Sequence, residues 1–169
     1  MSDETEFTLI NLTVDLPDDI LKAIGRLTIS FGQLEYVLAL TILRTSSNGM
    51  TFEEAHEKAK KLVSIHALAE RAYEEFQRRT LDQNIEARFL ALVGDVRDLA
   101  RRWADVKHAL WGIGKDGRVN WVVRGQQAPV DIEQLTQLDE DICGTKDALN
   151  QLTSPSGVTG VLSAAPFRP

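Results

Sequence analysis

The chain has 169 residues, 43% of them hydrophobic and 26% charged, and a net charge of −6. That length suits one domain with a sizeable core, and the acidic balance argues against a broad electrostatic grip on nucleic acid. One cysteine, Cys143, allows neither an internal disulfide nor a zinc-type cysteine cluster. The opening MSDETEF lacks the basic and apolar regions of a secretory signal. The most apolar stretch, residues 20–43, is interrupted by Lys22, Arg26, Gln33 and Glu35, so no membrane span is expected and a cytoplasmic location is the default. The charge is uneven. Residues 95–124 carry seven basic side chains against four acidic ones, a net +3, which leaves −9 on the rest of the chain. A local basic region on an acidic protein suits an anion held at one place, or simply a solvated helix face.

Residues 7–16 (FTLINLTVDL) are β-prone and read as an extended lead-in spanning 1–16. Pro17, followed by Asp18 and Asp19, opens a helix expected over 18–45. Its stripe is Ile20, Ile24, Leu27, Phe31, Leu34 and Leu38, but Leu21, Ile29, Val37 and Leu40 lie off it. Gly25, Gly32 and Ala39 recur every seven residues and predict a surface of close helix approach. The SSNG run at 46–49 ends this helix. Thr51 and Glu54 form a capping-box pattern for a second helical region over 52–79, with a break possible near 62–65. Thr80 and Gln83 repeat that pattern before the clearest periodicity in the chain. Ile85, Phe89, Leu92, Val96, Leu99, Trp103, Val106 and Leu110 alternate spacings of four and three, predicting a long helix over 82–110. WGIGKDGRVNWVVRG then reads as a β-hairpin near 111–124, turning at Asp116-Gly117. Pro129 and Asp131 open a last helix over 131–152, with Ile132, Leu135, Leu138, Ile142, Leu149 and Leu152 on its apolar side. Residues 154–169, rich in Ser, Pro, Gly and Ala, read as a disordered tail. The fold expected is all-α: an up-and-down helical bundle over 17–153 with a small β-hairpin before the last helix.

The chemistry-bearing stretch is RRWADVKHALWG, residues 101–112. Six residues separate Arg101 from His108, and five separate Arg102 from it. On the long helix, Arg101 and His108 fall on one row opposite the apolar stripe, about 10 Å apart along the axis. Ala87 and Gly94 precede them on the same row, which invites close approach by another helix or a second subunit. Asp105, four residues after Arg101 and three before His108, is placed to pair with the first or orient the second.

An arginine followed by a histidine after four to six residues, late in the third long helix of a small bundle, resembles the HEPN superfamily. So do the run FGQLE (31–35) in the first helix and the HALWG leading into the hairpin. The resemblance covers roughly residues 18–152, by order of elements. It implies a metal-independent endoribonuclease of a toxin or phage-defence type, acting as a homodimer that brings two Arg/His pairs into one cleft, with RNA as substrate and no cofactor. An antitoxin or another protein is a further possible partner. Carried over, His108 moves protons, and Arg101 or Arg102 holds the phosphate. Lys107, Lys115 and Arg118 contact the RNA backbone, and Glu35 holds the arginine. These roles suit the chemistry, since cleavage without metal needs a group titrating near neutrality and a fixed, bidentate cation. Trp103 follows Arg102 where much of the family has a polar residue, which leaves open which arginine corresponds.

Two other readings stand beside this one. The first is a non-catalytic helical dimer serving as an interaction module. The second is a carboxylate/histidine metal bundle, since Glu53-x-x-His56 and Asp105-x-x-His108 each put a carboxylate and an imidazole one turn apart. His66 has no partner at ligand spacing and reads as a partly buried histidine.

Overall fold

Helix boundaries follow from capping side chains. The computed structural model describes residues 15–45, 51, 53–54, 57, 64–78, 82–114 and 117–154. The lead-in through residue 14, the 46–49 turn, His56, Thr80, Lys115, Asp116 and the tail from 155 lie outside them. Helix α1, Asp18–Thr45, starts after Pro17, whose carbonyl accepts from the Leu21 N–H at 3.0 Å. Thr51 and Glu54 form the reciprocal box, each side chain accepting the other's backbone N–H at 3.2 and 2.9 Å. Glu53, Glu54 and Glu57 are helical. The break falls at Ser64, which is extended (φ −149°, ψ 155°) and accepts from the Ala67 N–H, so that α2, Ile65–Gln77, is a fresh start.

Helix α3, Gln83–Lys107, is capped by Asp82, whose carboxylate accepts from the N–H groups of Asn84 and Ile85. Asp82, rather than Thr80, is therefore the residue that opens it. The helix also ends three residues short of the expected Leu110. His108 is its C-cap, and Leu110 begins strand β1, Leu110–Ile113, with its side chain exposed. The apolar period runs on past the helix because the next element starts on an apolar residue. Asp131 caps α4, Ile132–Thr153.

The apolar stripes meet in one core. Leu27, Phe31, Leu34 and Leu38 of α1 pack with Leu68, Ala72 and Phe76 of α2, Phe89, Val93, Val96 and Leu99 of α3, and Leu135, Leu138, Ile142 and Leu149 of α4. Phe31 and Trp103 bring the rings of α1 and α3 to 5.7 Å. Glu75 is buried among these side chains but ion-paired by Arg71 of its own helix and by Arg78, that helix's C-cap. Buried carboxylates need such partners.

Pairings across the bundle give the helix directions. Ser30 meets Cys143, Gln33 meets Lys146, and Arg44 meets Asn150 and Thr153, so α1 and α4 run parallel. Tyr73 bonds Glu86 while Glu70 pairs with Arg97, so α2 and α3 run antiparallel.

Among the described residues of this single chain, nothing packs against the glycines of the small-residue rows. Gly25, Gly32 and Gly94 are exposed, and a Cβ at any of them would meet nothing within 4 Å, although Ala39 is buried. Leu21 and Ile29 on the same side of α1 are exposed as well.

The insert before α4 is a three-stranded antiparallel sheet in the order β1-β2-β3, with β2 at Val119–Val123 and β3 at Gln126–Pro129. The third strand extends the expected hairpin, and Pro129 belongs to it rather than to the last helix. Arg124 and Gly125 join β2 to β3 with φ of +52° and +78°, the double left-handed step of a two-residue hairpin turn. Arg-Gly is a weak signal for that turn beside Asn-Gly. What holds Arg124 there is tertiary: its guanidinium donates to Asp105 of α3 at 3.0 and 2.8 Å.

Candidate functional site

His108 stands at the junction of α3 and the sheet. Its backbone N–H closes the helix onto Ala104 at 3.0 Å, and its side chain is exposed. The ring makes no hydrogen bond among the described residues. Arg101 is exposed on the same outward row of α3, together with Ala87 and Gly94. Its guanidinium turns back toward the helix N-terminus and pairs with Asp98 at 2.6 Å. Arg101 and His108 thus share a face without touching.

Arg102 is turned aside. It donates to Asp141 of α4 at 2.6 Å, with Asp98 4.0 Å away. Around it, Asp95, Asp98, Glu140 and Asp141 line a cleft of about 410 Å³ with Gly144 and Thr145. Four carboxylates beside one guanidinium make that cleft hostile to phosphate. Arg102 is a tie between helices.

Three further residues fall elsewhere than their spacing suggested. Asp105 bonds neither Arg101 nor His108 but Arg124 of the β2–β3 turn. Glu35 holds neither arginine. Partial burial pushes its carboxyl above the ordinary range, and the nearby Lys107 ammonium pulls the other way. His66 is exposed rather than partly buried. Of the basic side chains assigned to RNA, Lys107 and Arg118 are exposed at this end of the molecule, and Lys115 lies outside the described residues.

The Asp141 carboxyl is held below its usual range by the hydrogen bond from Gln137, at 2.9 Å, and by that from Arg102. The unfolded chain therefore binds this proton at a higher pH than the folded one. The stabilisation is complete above the ordinary carboxylate value and is lost as pH falls through the depressed one. Asp141→Asn should lower the urea midpoint at pH 7 while making its decline between pH 5 and pH 3 shallower. An unchanged acid limb would show that this pair does not link α3 to α4.

A second cleft, of about 340 Å³, opens on the other side of the Arg102 tie, between α3, β2 and α4. Val106, Trp121, Leu135 and Leu138 form its apolar walls, and Arg102, Asp105, Gln134 and Gln137 its rim. Trp121 is paired across the strands with Trp111, ring centroids 5.7 Å apart. Trp121, Arg124, Gln134 and Asp141 were not among the residues singled out from sequence, since none shares a helix face or a motif with the Arg/His pair.

Among the described residues, no cluster of three or more His, Cys, Asp or Glu side chains is placed to hold a metal ion, and no helix is long and apolar enough to cross a membrane. Set against known proteins, the chain matches no family model, no curated protein and no solved structure.

Proposed function

We propose that this protein is a HEPN-like, metal-independent endoribonuclease of a toxin or phage-defence type, working as a homodimer. The observation that carries the reading is the exposed His108 ring, without a hydrogen bond among the described residues, at the end of α3 and on one outward row with Arg101. An exposed imidazole is able to take and return the proton of a 2′-hydroxyl attack. Arg101 supplies the cation once a phosphate displaces its exposed pairing with Asp98, a pair of the kind that contributes little. The outward face of α3 also bears Ala87, Leu90 and Gly94. A second copy crossing there would set two Arg101/His108 rows against each other. Arg102 is left out of the chemistry.

The test is RNA cleavage in EDTA by wild type and by His108→Ala, with the oligomeric state read by sedimentation. Loss of His108 should slow cleavage by about 10²- to 10⁴-fold, the range for removing a general acid or base. Equal cleavage by the two proteins removes His108 from the chemistry, and a protein that stays monomeric at high concentration removes the shared cleft.

One observation favours the second reading, a non-catalytic interaction module. Both arginines of the motif are already paired with carboxylates, so the two of them do not form an assembled anion site with His108. On that reading, wild type binds a partner, protein or RNA, and cleaves nothing.

A further inference from the structure

We infer that the cleft between α3, β2 and α4 takes a nucleobase of single-stranded RNA, which makes it the specificity pocket of the proposed nuclease; the inference rests on that reading for its choice of RNA. Three features select the ligand. The first is charge. The two charged residues that line the cleft, Arg102 and Asp105, are each paired with a partner outside its lining, Asp141 and Arg124. The cleft therefore favours a neutral group over a bare anion or cation. The second is shape. Trp121 presents an aromatic surface braced by Trp111 and flanked by Val106 and Leu135, in a space of about 340 Å³. That is the low end of small-molecule sites, enough for one planar heterocycle. Stacking on an aromatic ring is how unpaired bases are held. The third is polarity. Gln134 is exposed at the rim, and its side-chain amide makes no hydrogen bond among the described residues, so it offers a donor and an acceptor to a base edge.

The position fits the proposed chemistry. Asp105 lines the cleft, and His108, the C-cap of α3, follows three residues later, about 4.5 Å further along the helix axis. A base inserted against Trp121 leaves its sugar and phosphate outside the cleft, past the rim that Asp105 helps to form.

Binding by the full-length His108→Ala protein separates this inference from cleavage. Fluorescent single-stranded hexamers of A, C, G and U, and an abasic hexamer, would be titrated at one salt concentration by anisotropy. The four base-bearing hexamers should bind unequally, and all of them more tightly than the abasic one. Trp121→Leu should weaken the base-bearing hexamers about tenfold, within the range for one base–aromatic stack. Trp121→Phe, which keeps a ring, should retain most of the affinity. Gln134→Ala should narrow the spread among the bases with an unchanged urea midpoint. Abasic RNA bound as tightly as the rest, or folded Trp121→Leu and Gln134→Ala proteins both indistinguishable from the parent, would overturn the pocket. RNA bound in the expected pattern but never cleaved by wild type upholds the pocket and sinks the nuclease. Cleavage by wild type without that pattern does the reverse, and no binding to any hexamer sinks the pocket.

Discussion

Phe89→Ala should lower folding stability by about 3–5 kcal/mol, the range for deleting a fully buried phenyl ring. Phe89 is fully buried and stacks on Phe76 of α2 with centroids 4.2 Å apart and planes 16° from parallel; Tyr73 approaches from the same helix at 6.2 Å. These rings fill the seam between α2 and α3. Truncation leaves a cavity that neighbouring Val93 and Ala72, already buried, cannot collapse into without shifting a helix. The comparison is Leu90→Ala, one residue on. Leu90 is 48% exposed on the outward face, and its loss should change the stability of the single chain, measured at concentrations too low for two copies to associate, by less than about 0.5 kcal/mol. Urea midpoints of the two variants measure the difference. Equal midpoints would mean that α3 presents a different face to the core.

The two arginines should separate stability from activity. Arg101→Ala removes an exposed side chain whose pairing lies within its own helix, so the urea midpoint should stay where it is. RNA cleavage should fall by about 10²- to 10³-fold, the usual effect of deleting a group that stabilises transition-state charge. Arg102→Ala should do the opposite. It leaves Asp141 without its cation beside Asp98 and Glu140, so α3 and α4 lose a tie worth about 1 kcal/mol or less, given how open the pair is to solvent. Cleavage per folded molecule should stay within a few-fold of wild type. The reversed pattern, with Arg102→Ala dead and fully stable and Arg101→Ala active, would return the phosphate to Arg102 and refute the geometric assignment.

Within the candidate site, legibility depended on distance along the chain. His108 and Arg101 share a helix row because seven residues nearly complete two turns, and that relation is visible in spacing alone. Their partners are not. Asp105 faces equal helical opportunities toward Arg101 and His108, yet bonds Arg124, nineteen residues away on a turn. Arg102 and Arg101 are adjacent and chemically identical. Only the position of α4 makes one an interhelical tie and leaves the other on the outward face.

The elements themselves were almost wholly determined by the sequence: the α1 bounds, the Thr51/Glu54 box, the long period of α3, the stripe of α4 and the all-α class with a strand insert. Each rests on caps and periodicities that act within about four residues, so no knowledge of the rest of the molecule is needed. Tertiary structure decided the remainder. It stopped α3 at Lys107, because Leu110 gains a strand partner in Val122. It added β3, because Asp105 holds Arg124 in a left-handed turn that Arg-Gly alone would not specify. It left Gly25, Gly32 and Gly94 facing outward, since a row of small residues marks where a helix can be approached, and only the placement of the other helices determines whether anything in the same chain approaches it.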